Sequence, residues 1–521
     1  MARLHISDIP SLRANSAPLP LTVAPATSSE RFKSPHTRGK PLAQQWDRHF
    51  SIESRNFNGS AFKKGASPVA ESKVISLGTG RPTADYYPWG GLSMQTVSPI
   101  QLVHKEFSKT GCDAVQTVTK HDSTYNLSLA LNYGHAAGSP HLLRFITEHI
   151  ELVHDPPYRD WRTFLSCGST AAFEVAFRIF CNRGDPVLVE RYTYAGALES
   201  IALNGAISYG VDMDADGLLP DALEEVLSSW ELSQGPKPRV LYTIPTGQNP
   251  TGFSQPEERR KAIYNIAEKH DLIIIEDDPY YFLRMGPCEG VHNGEETVDI
   301  SSDMFNTYAE PSYLSLDTSG RVVRLDSTSK ILAPGLRAGW VTASEQIIEK
   351  FLAYQEVSTV AVSGPSQIML WNLLDVTWGH DGFKSWLVHL SSEYQHRRDI
   401  LLHACERYVP SELAEWVPPG YGMFLWIKVH WRRHSVLGAL AEALTTEEID
   451  SQLQELESRI ATKGLEDGVL VAKGSLFSWD KKPGGQLHFR MTFAAADKED
   501  LEEGVRLFAN ALKREFASGL S

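Results

Sequence analysis

No apolar run in these 521 residues approaches the roughly 20 residues that a bilayer-spanning helix needs. The N-terminus also lacks the short apolar core of a secretory signal. A soluble, intracellular protein is therefore expected, with no membrane partner. Cysteine is sparse: five residues (Cys112, Cys167, Cys181, Cys288, Cys405) lie scattered, with no CxxC pair. That excludes a disulfide scaffold or a metal motif of paired cysteines, and the thiols are read as reduced. Basic runs are missing as well. Lys plus Arg number 50 against 64 Asp plus Glu, a formal charge of -14, so no row of phosphates can be neutralised and nucleic acid is not an expected partner. What is present is the composition of a compact enzyme, 42% hydrophobic and 22% charged, in a chain long enough to need more than one core.

Residues 1–70 are rich in Ser, Pro, Ala and Arg and show no sustained periodicity, so they are read as an N-terminal arm, partly disordered. Arg3, Arg13, Arg31 and Arg38 among many serines would also suit a mitochondrial transit peptide. Asp8 and Pro10 interrupt any early amphipathic helix, which favours a tail and a cytoplasmic location, with mitochondrial as the alternative. Beyond the arm, helical periodicity over Leu142–Val153 and Ala171–Cys181 gives way to an alternation. Short β-rich runs (187–190, 240–244, 272–276, 322–325) alternate with helical ones (220–230, 256–270). This predicts an α/β domain with a mostly parallel central sheet over 120–375. Residues 284–319 read as a loop insertion. Helical runs at 386–408 and 446–464 around strands at 423–429 and 487–493 predict a smaller α+β domain, formed by 71–119 and 376–521.

Open parallel sheets bind ligands beyond the carboxyl ends of their strands, and four such places carry chemistry. PTGQNPTG (245–252), DDPYY (277–281) and DSTSK (326–330) each follow a predicted strand, and CGST (167–170) opens a helix. Each alone has an ordinary explanation: Lys330 a solvated cation, Asp277 and Asp278 a turn before Pro279, Asn249-Pro250-Thr251-Gly252 a tight turn. Together they put a lysine, an acid, an amide, a phenol and an anion-binding helix start at one sheet edge, which ordinary turn chemistry does not require.

PTGQNPTG, EDDPYYF, and STSK followed by PGLRAGW resemble the fold-type-I pyridoxal-phosphate aminotransferases. The likeness runs from about Ile75 to the C-terminus and is greatest to the fungal aromatic-amino-acid enzymes and the kynurenine/2-aminoadipate group. It implies an aspartate-aminotransferase-like large domain and pyridoxal 5'-phosphate as cofactor. It also implies an L-amino acid and a 2-oxo acid such as 2-oxoglutarate as substrates, with aromatic donors leading and glutamate, 2-aminoadipate and kynurenine as further candidates.

The resemblance also assigns roles. Lys330 is the expected Schiff-base residue, whose freed amine shuttles a proton at the substrate Cα. Asp277 pairs with the pyridine nitrogen and keeps it protonated. Asn249 and Tyr280 hydrogen-bond the phenolic oxygen, and Tyr194 stacks on the ring. Ser169, Thr170, Ser327, Ser329 and Arg337 cup the phosphate at a helix start, although each serine alone would pass for a cap or turn residue. Tyr133 in LNYGHAAG matches a tyrosine that reaches the neighbouring subunit's phosphate, which implies a homodimer. Arg490 in HFRMTFAAA matches the arginine that binds the α-carboxylate bidentately, and GTGRP (78–82) the segment that folds over substrate, Gly80 allowing close backbone approach.

Two departures from the family pattern bear on selectivity. Arg81 stands where an apolar residue is usual, which points to acidic or hydrogen-bonding substrates. Ala171-Ala172-Phe173 replaces a larger polar residue and a tryptophan. The rival readings are another pyridoxal-phosphate reaction, lyase or decarboxylase, on the same fold, and a cofactor-binding regulator of DNA. The regulator would need a basic helix-turn-helix that 1–70 lacks.

Overall fold

The computed structural model describes residues 3–60, 77–78, 80–97, 114–286, 288 and 310–517. Most of the loop expected at 284–319 lies outside them. By packing, the chain forms two units: Met1–Asn182 with Ile273–Pro279 and Ser302–Leu387, and Arg183–Leu272 with Tyr280–Ser301 and Val388–Ser521. These units are not coextensive with the domains expected from sequence.

The strands that matter are β1 (Gly91–Thr96), β2 (Ala114–Thr119), β3 (Trp161–Ser166), β4 (Pro186–Glu190), β5 (Ile207–Val211), β6 (Val240–Thr243), β7 (Ile273–Asp277), β8 (Val322–Ser327), β9 (Gly339–Ser344), β10 (Ala414–Trp416), β11 (Phe424–Val429), β12 (Ala472–Lys473) and β13 (Leu487–Thr492). In the first unit β1 pairs with β2, and four strands run in the order β3-β9-β8-β7. In the second, β6-β4-β5 lie side by side, and an antiparallel sheet has the order β10-β11-β13-β12. Within the two α/β groups, three of five pairings are parallel and two antiparallel, a mixed pattern in which parallel pairing predominates as expected. Every residue of β4, β6, β7 and β8 is buried, which is why these strands read as continuous apolar runs rather than alternating ones.

The helices start where their caps dictate. In α1 (Pro140–Val153) the Ser139 hydroxyl accepts from the Leu142 N–H and proline occupies the first turn. Helix α2 (Ser169–Phe180) begins at Gly168, which supplies no capping side chain. Helix α3 (Glu257–His270) stops at left-handed Asp271. Helix α4 (Thr446–Asp467) opens with a Thr445–Glu448 capping box and closes on Gly468 at φ 104°, and α5 (Lys498–Ala517) packs beside it. Among the described residues no helix is long and apolar enough to cross a membrane.

The arm is a correction. Residues 3–60, expected to form a mobile tail, are laid against the first unit. Trp46 is fully buried, its backbone N–H donating to Gln346 Oε1 at 2.6 Å and its ring lying under the Arg321 guanidinium. Ser51 N–H donates to the Ile179 carbonyl at 2.7 Å. Arg13 spans two buried acids, donating to Glu148 through Nε (2.8 Å) and Nη2 (2.5 Å) and pairing with Asp375 at 2.7 Å. Single anchors of this kind need no periodic face, so no pattern in the sequence announced them. Arg13→Ala strips the main cation from Glu148, whose side chain is 1% exposed, and is expected to cost about 3 kcal/mol of stability. An unchanged urea midpoint would show that the strap is not anchored there.

Burial also sets a pH limit. His488 in β13 is stacked on Trp426 at 4.8 Å, and burial pushes its pKa down to about 3. The unfolded chain takes up this proton below about pH 6.5 and the folded chain does not, so stability present above that pH is lost as pH falls toward 3. From this histidine alone the loss is about 2 kcal/mol by pH 5. His488→Leu should flatten the fall in unfolding free energy between pH 7 and pH 5 by that amount; a parallel fall in variant and parent would discount it.

Candidate active site

In the first unit the register lines up the predicted motifs. Strands β7 and β8 are parallel, with Asp277 opposite Leu325. Ser327 ends β8 opposite Gly339 of β9, and Gly339 lies opposite Ser166, the last residue of β3. Asp277, the 327–330 turn and the CGST turn therefore issue from one edge of the sheet. A side chain at Gly339 would have its Cβ 2.4 Å from the Asp326 carbonyl oxygen, so this row closes only on glycine. Asp277 is buried and Lys330 half-buried.

Around the start of α2 lie the residues expected to form the anion cup. Arg337 Nη1 donates to the Pro334 carbonyl oxygen at 3.0 Å and lies 3.4 Å from Ser329 Oγ, while Nη2 makes only a long contact, 3.4 Å, with the Cys167 carbonyl oxygen. Ser327 Oγ donates to Ser329 Oγ at 3.0 Å. Gly168, at φ 91°, is a conformation only glycine adopts readily, and a Cβ there would sit 2.7 Å from Arg337 Nη2. Arg337 itself is exposed and held at φ 47°. Ser169 is half-buried and Thr170 exposed, on a helix N-terminus with no side-chain cap. Tyr133 is 62% exposed. Gly80 and Arg81 are exposed too, and a Cβ on Gly80 would meet nothing within 4 Å.

The second unit holds a different group. Arg490, on β13 opposite Trp426, donates through Nη1 to Asn249 Oδ1 at 2.8 Å. Its guanidinium carbon lies 4.5 Å from the Phe424 ring centre and 4.6 Å from that of Phe477. Its Nε is buried and makes no hydrogen bond to any described residue. Burial lowers the Arg490 pKa while Tyr280 and Tyr194 work the other way; the group remains a cation. Buried Tyr280 meets Phe424 edge-on at 5.6 Å, and the Tyr194 ring covers Gly196, where a Cβ would come within 2.7 Å of it. A planar cation fixed between aromatic faces with an unused buried donor is suited to a carboxylate.

Some functional context was not read from the sequence. Arg324, fully buried in β8, is bound by Asp326 (3.0 Å), Asp278 (3.2 Å) and Glu276 (3.0 Å), an ionic cluster on the two strands that present Asp277 and Lys330. The signal was available: an arginine inside the apolar run VVRLDS has to find acids. The rings of Phe424 and Phe477 over Arg490 had no comparable local mark.

The donor set of the first unit fits a phosphorylated pyridine aldehyde: an amine for the carbonyl, a buried acid for the ring nitrogen, and hydroxyls, a cation and free helix N–H groups for the phosphate, beside a glycine cradle. These features define a pyridoxal-phosphate enzyme of α/β fold. A profile of the family "Aminotransferase class I and II" matches residues 114–508, and the chain belongs to that family; it is an aminotransferase, and its cofactor is pyridoxal phosphate. It is 45% identical over 505 residues to "Aminotransferase swnA" of Metarhizium robertsii, covering 96% of each chain. To an aromatic amino acid aminotransferase of Schizosaccharomyces pombe it is 38% identical over 475 residues, 90% of this chain and 98% of the relative. The crystal structure of aminotransferase Aro8 from Candida albicans matches with a TM-score of 0.83 at 36% identity, over 92% of this chain and 100% of that one.

Proposed function

We propose that the amino donor is an aromatic L-amino acid and the acceptor a 2-oxo acid such as 2-oxoglutarate, handled in turn in a ping-pong cycle. The observation that carries this reading is Arg490, a buried fork with an open Nε between two phenylalanine rings. Both substrates carry the carboxylate it would hold, and retention of that carboxylate disfavours decarboxylation. The aromatic preference is supported by the activity named for the Schizosaccharomyces relative.

In this reading Lys330 carries the cofactor and moves a proton at the substrate Cα. Asp277 keeps the ring nitrogen protonated, and Tyr194 lies on the ring. Tyr280 and the Asn249 amide N–H, left over after its oxygen accepts from Arg490, serve the phenolic oxygen. Ser169, Thr170, Ser327, Ser329 and Arg337 hold the phosphate. When bound, the cofactor supplies the electron sink that makes Cα–H acidic. The working form is a homodimer in which exposed Tyr133 reaches the other subunit's phosphate, and the protein is cytoplasmic. Functionally the chain divides into the arm (1–70), a small domain (71–119 and 376–521) and a large cofactor domain (120–375).

A second reading, acidic donors such as 2-aminoadipate or glutamate, is favoured by Arg81, an exposed cation in the segment matched to the family's substrate cover. The test is the absorption spectrum of the holoenzyme with L-phenylalanine, L-tyrosine, L-glutamate, L-2-aminoadipate and L-kynurenine in turn. Conversion to the pyridoxamine form by the aromatic donors, reversed by 2-oxoglutarate, is expected. Conversion by the acidic donors alone would replace the first reading with the second, and Arg81→Leu should then reverse the ranking.

A further inference from the structure

Asn249 holds Arg490, and the loop that carries Asn249 is itself tied to a buried carboxylate. Glu190, the last residue of β4, has no exposed surface. Its Oε1 accepts from Thr243 Oγ1 (2.6 Å) and the Ile244 N–H (3.1 Å), and its Oε2 from Gln248 Nε2 (3.0 Å). Gln248, immediately before Asn249, is fixed at every polar atom. Nε2 also donates to the Tyr192 carbonyl (2.6 Å), and Oε1 accepts from the Thr251 N–H (2.9 Å) and Oγ1 (2.8 Å). Its backbone N–H and carbonyl are bonded to Phe253 and Gly252. Burial pushes the Glu190 carboxyl up to about 7 while these donors hold it down. So costly a group is retained only where its bonds are needed, since an apolar side chain of similar shape would remove the desolvation penalty altogether.

We propose that Glu190 is a positioning residue for substrate recognition: through Gln248 it fixes the Asn249 loop, and through Asn249 it orients the Arg490 fork toward the substrate carboxylate. The proposal rests on the reading of Arg490 as the carboxylate-binding residue. The chain Glu190–Gln248–Asn249–Arg490 lies wholly within the second packing unit. It reaches Arg490 through one hydrogen bond of 2.8 Å, so a shift of the loop by a fraction of an ångström weakens the fork rather than abolishing it. Because donor and acceptor present the same carboxylate, their affinities must change together.

The experiment compares the parent holoenzyme with Glu190→Gln, Glu190→Asp, Thr251→Val and, as a control on the underlying reading, Arg490→Lys. Steady-state kinetics would be measured for L-tyrosine and 2-oxoglutarate, with calorimetric binding of 2-oxoglutarate to the pyridoxamine form of each protein. In Glu190→Gln an amide N–H faces the donors of Ile244 and Gln248. About a tenfold rise in both KM values and in the 2-oxoglutarate Kd is expected, roughly the worth of one good hydrogen bond, with kcat within about twofold. Glu190→Asp, which keeps the acceptor but shortens its reach, should recover part of the loss. Thr251→Val, which removes one tie on Gln248 without touching the buried acid, should raise both KM values about threefold even if the Glu190 variants fail to fold. Unchanged KM values in Glu190→Gln or, should that protein not fold, in Thr251→Val would overturn the proposal, as would a fall in kcat with KM unaltered. If Arg490→Lys leaves both KM values intact, the reading of Arg490 fails, which is a separate result.

Discussion

Lys330→Ala is expected to lower transamination by at least about four orders of magnitude while leaving the fold intact. The side chain is half-buried and follows β8 by three residues, outside the buried strand row, so truncation leaves little cavity and the far-ultraviolet dichroism should match that of the parent. The loss in rate has two sources that coincide in one amine. Covalent tethering holds the cofactor in register, and a positioned base for the Cα proton is worth about 10²- to 10⁴-fold by itself. The two separate experimentally, because added methylamine can restore proton transfer but not the tether. Cofactor should still bind through the Arg337 and α2 side, visible as absorbance without the covalent form. Residual turnover within about tenfold of the parent would remove Lys330 from the role that its place after β8 suggests.

How far the sequence could be read follows from the physics of each element. Strands β4, β6, β7 and β8 were legible because burial on both faces makes them apolar runs, the last three each followed at once by a polar motif. Asp277 is the last residue of β7, and Ser169 the first of α2, within a residue or two of where the pattern put them. Strand β9 was not recognised: GWVTAS contains glycine and small residues, and it becomes a strand by pairing with Arg324–Ser327 and Trp161–Ser166, partners remote in the chain. The strap over 3–60 was missed because its contacts come from isolated residues such as Arg13 and Trp46. The same limit applies at the site. Asn249 and Arg490 were each picked out singly, yet their hydrogen bond spans 241 positions, and the pairing of Gln248 with Glu190 spans 58. Local pattern identifies which residues carry chemistry, whereas the contacts that aim them arise from long-range packing.

Arg490→Met carries the second large effect, a fall of about 10³-fold in kcat/KM for amino donor and oxo-acid acceptor alike. Losing the cationic partner of a desolvated carboxylate costs about 2–5 kcal/mol, and each 1.4 kcal/mol is a factor of ten. Methionine is the appropriate replacement because its unbranched thioether fills the gap between the Phe424 and Phe477 rings and favours sulfur–aromatic contact. Asn249 loses a donor but keeps its place through Gln248, whose ties to Glu190, Tyr192 and Thr251 are untouched. The protein should therefore fold, and thermal denaturation checks that. Arg490→Lys keeps the charge without the planar fork or the stacking on two rings, so about a 10²-fold loss is expected, intermediate between parent and methionine variant. Equality of the effect on the two substrates is the discriminating feature. A side-chain selector would penalise tyrosine and 2-oxoglutarate differently, whereas a residue that reads only the carboxylate next to the reacting carbon must penalise both. A loss confined to one substrate would move Arg490 from carboxylate recognition to side-chain selection, and no loss for either would remove it from the binding site.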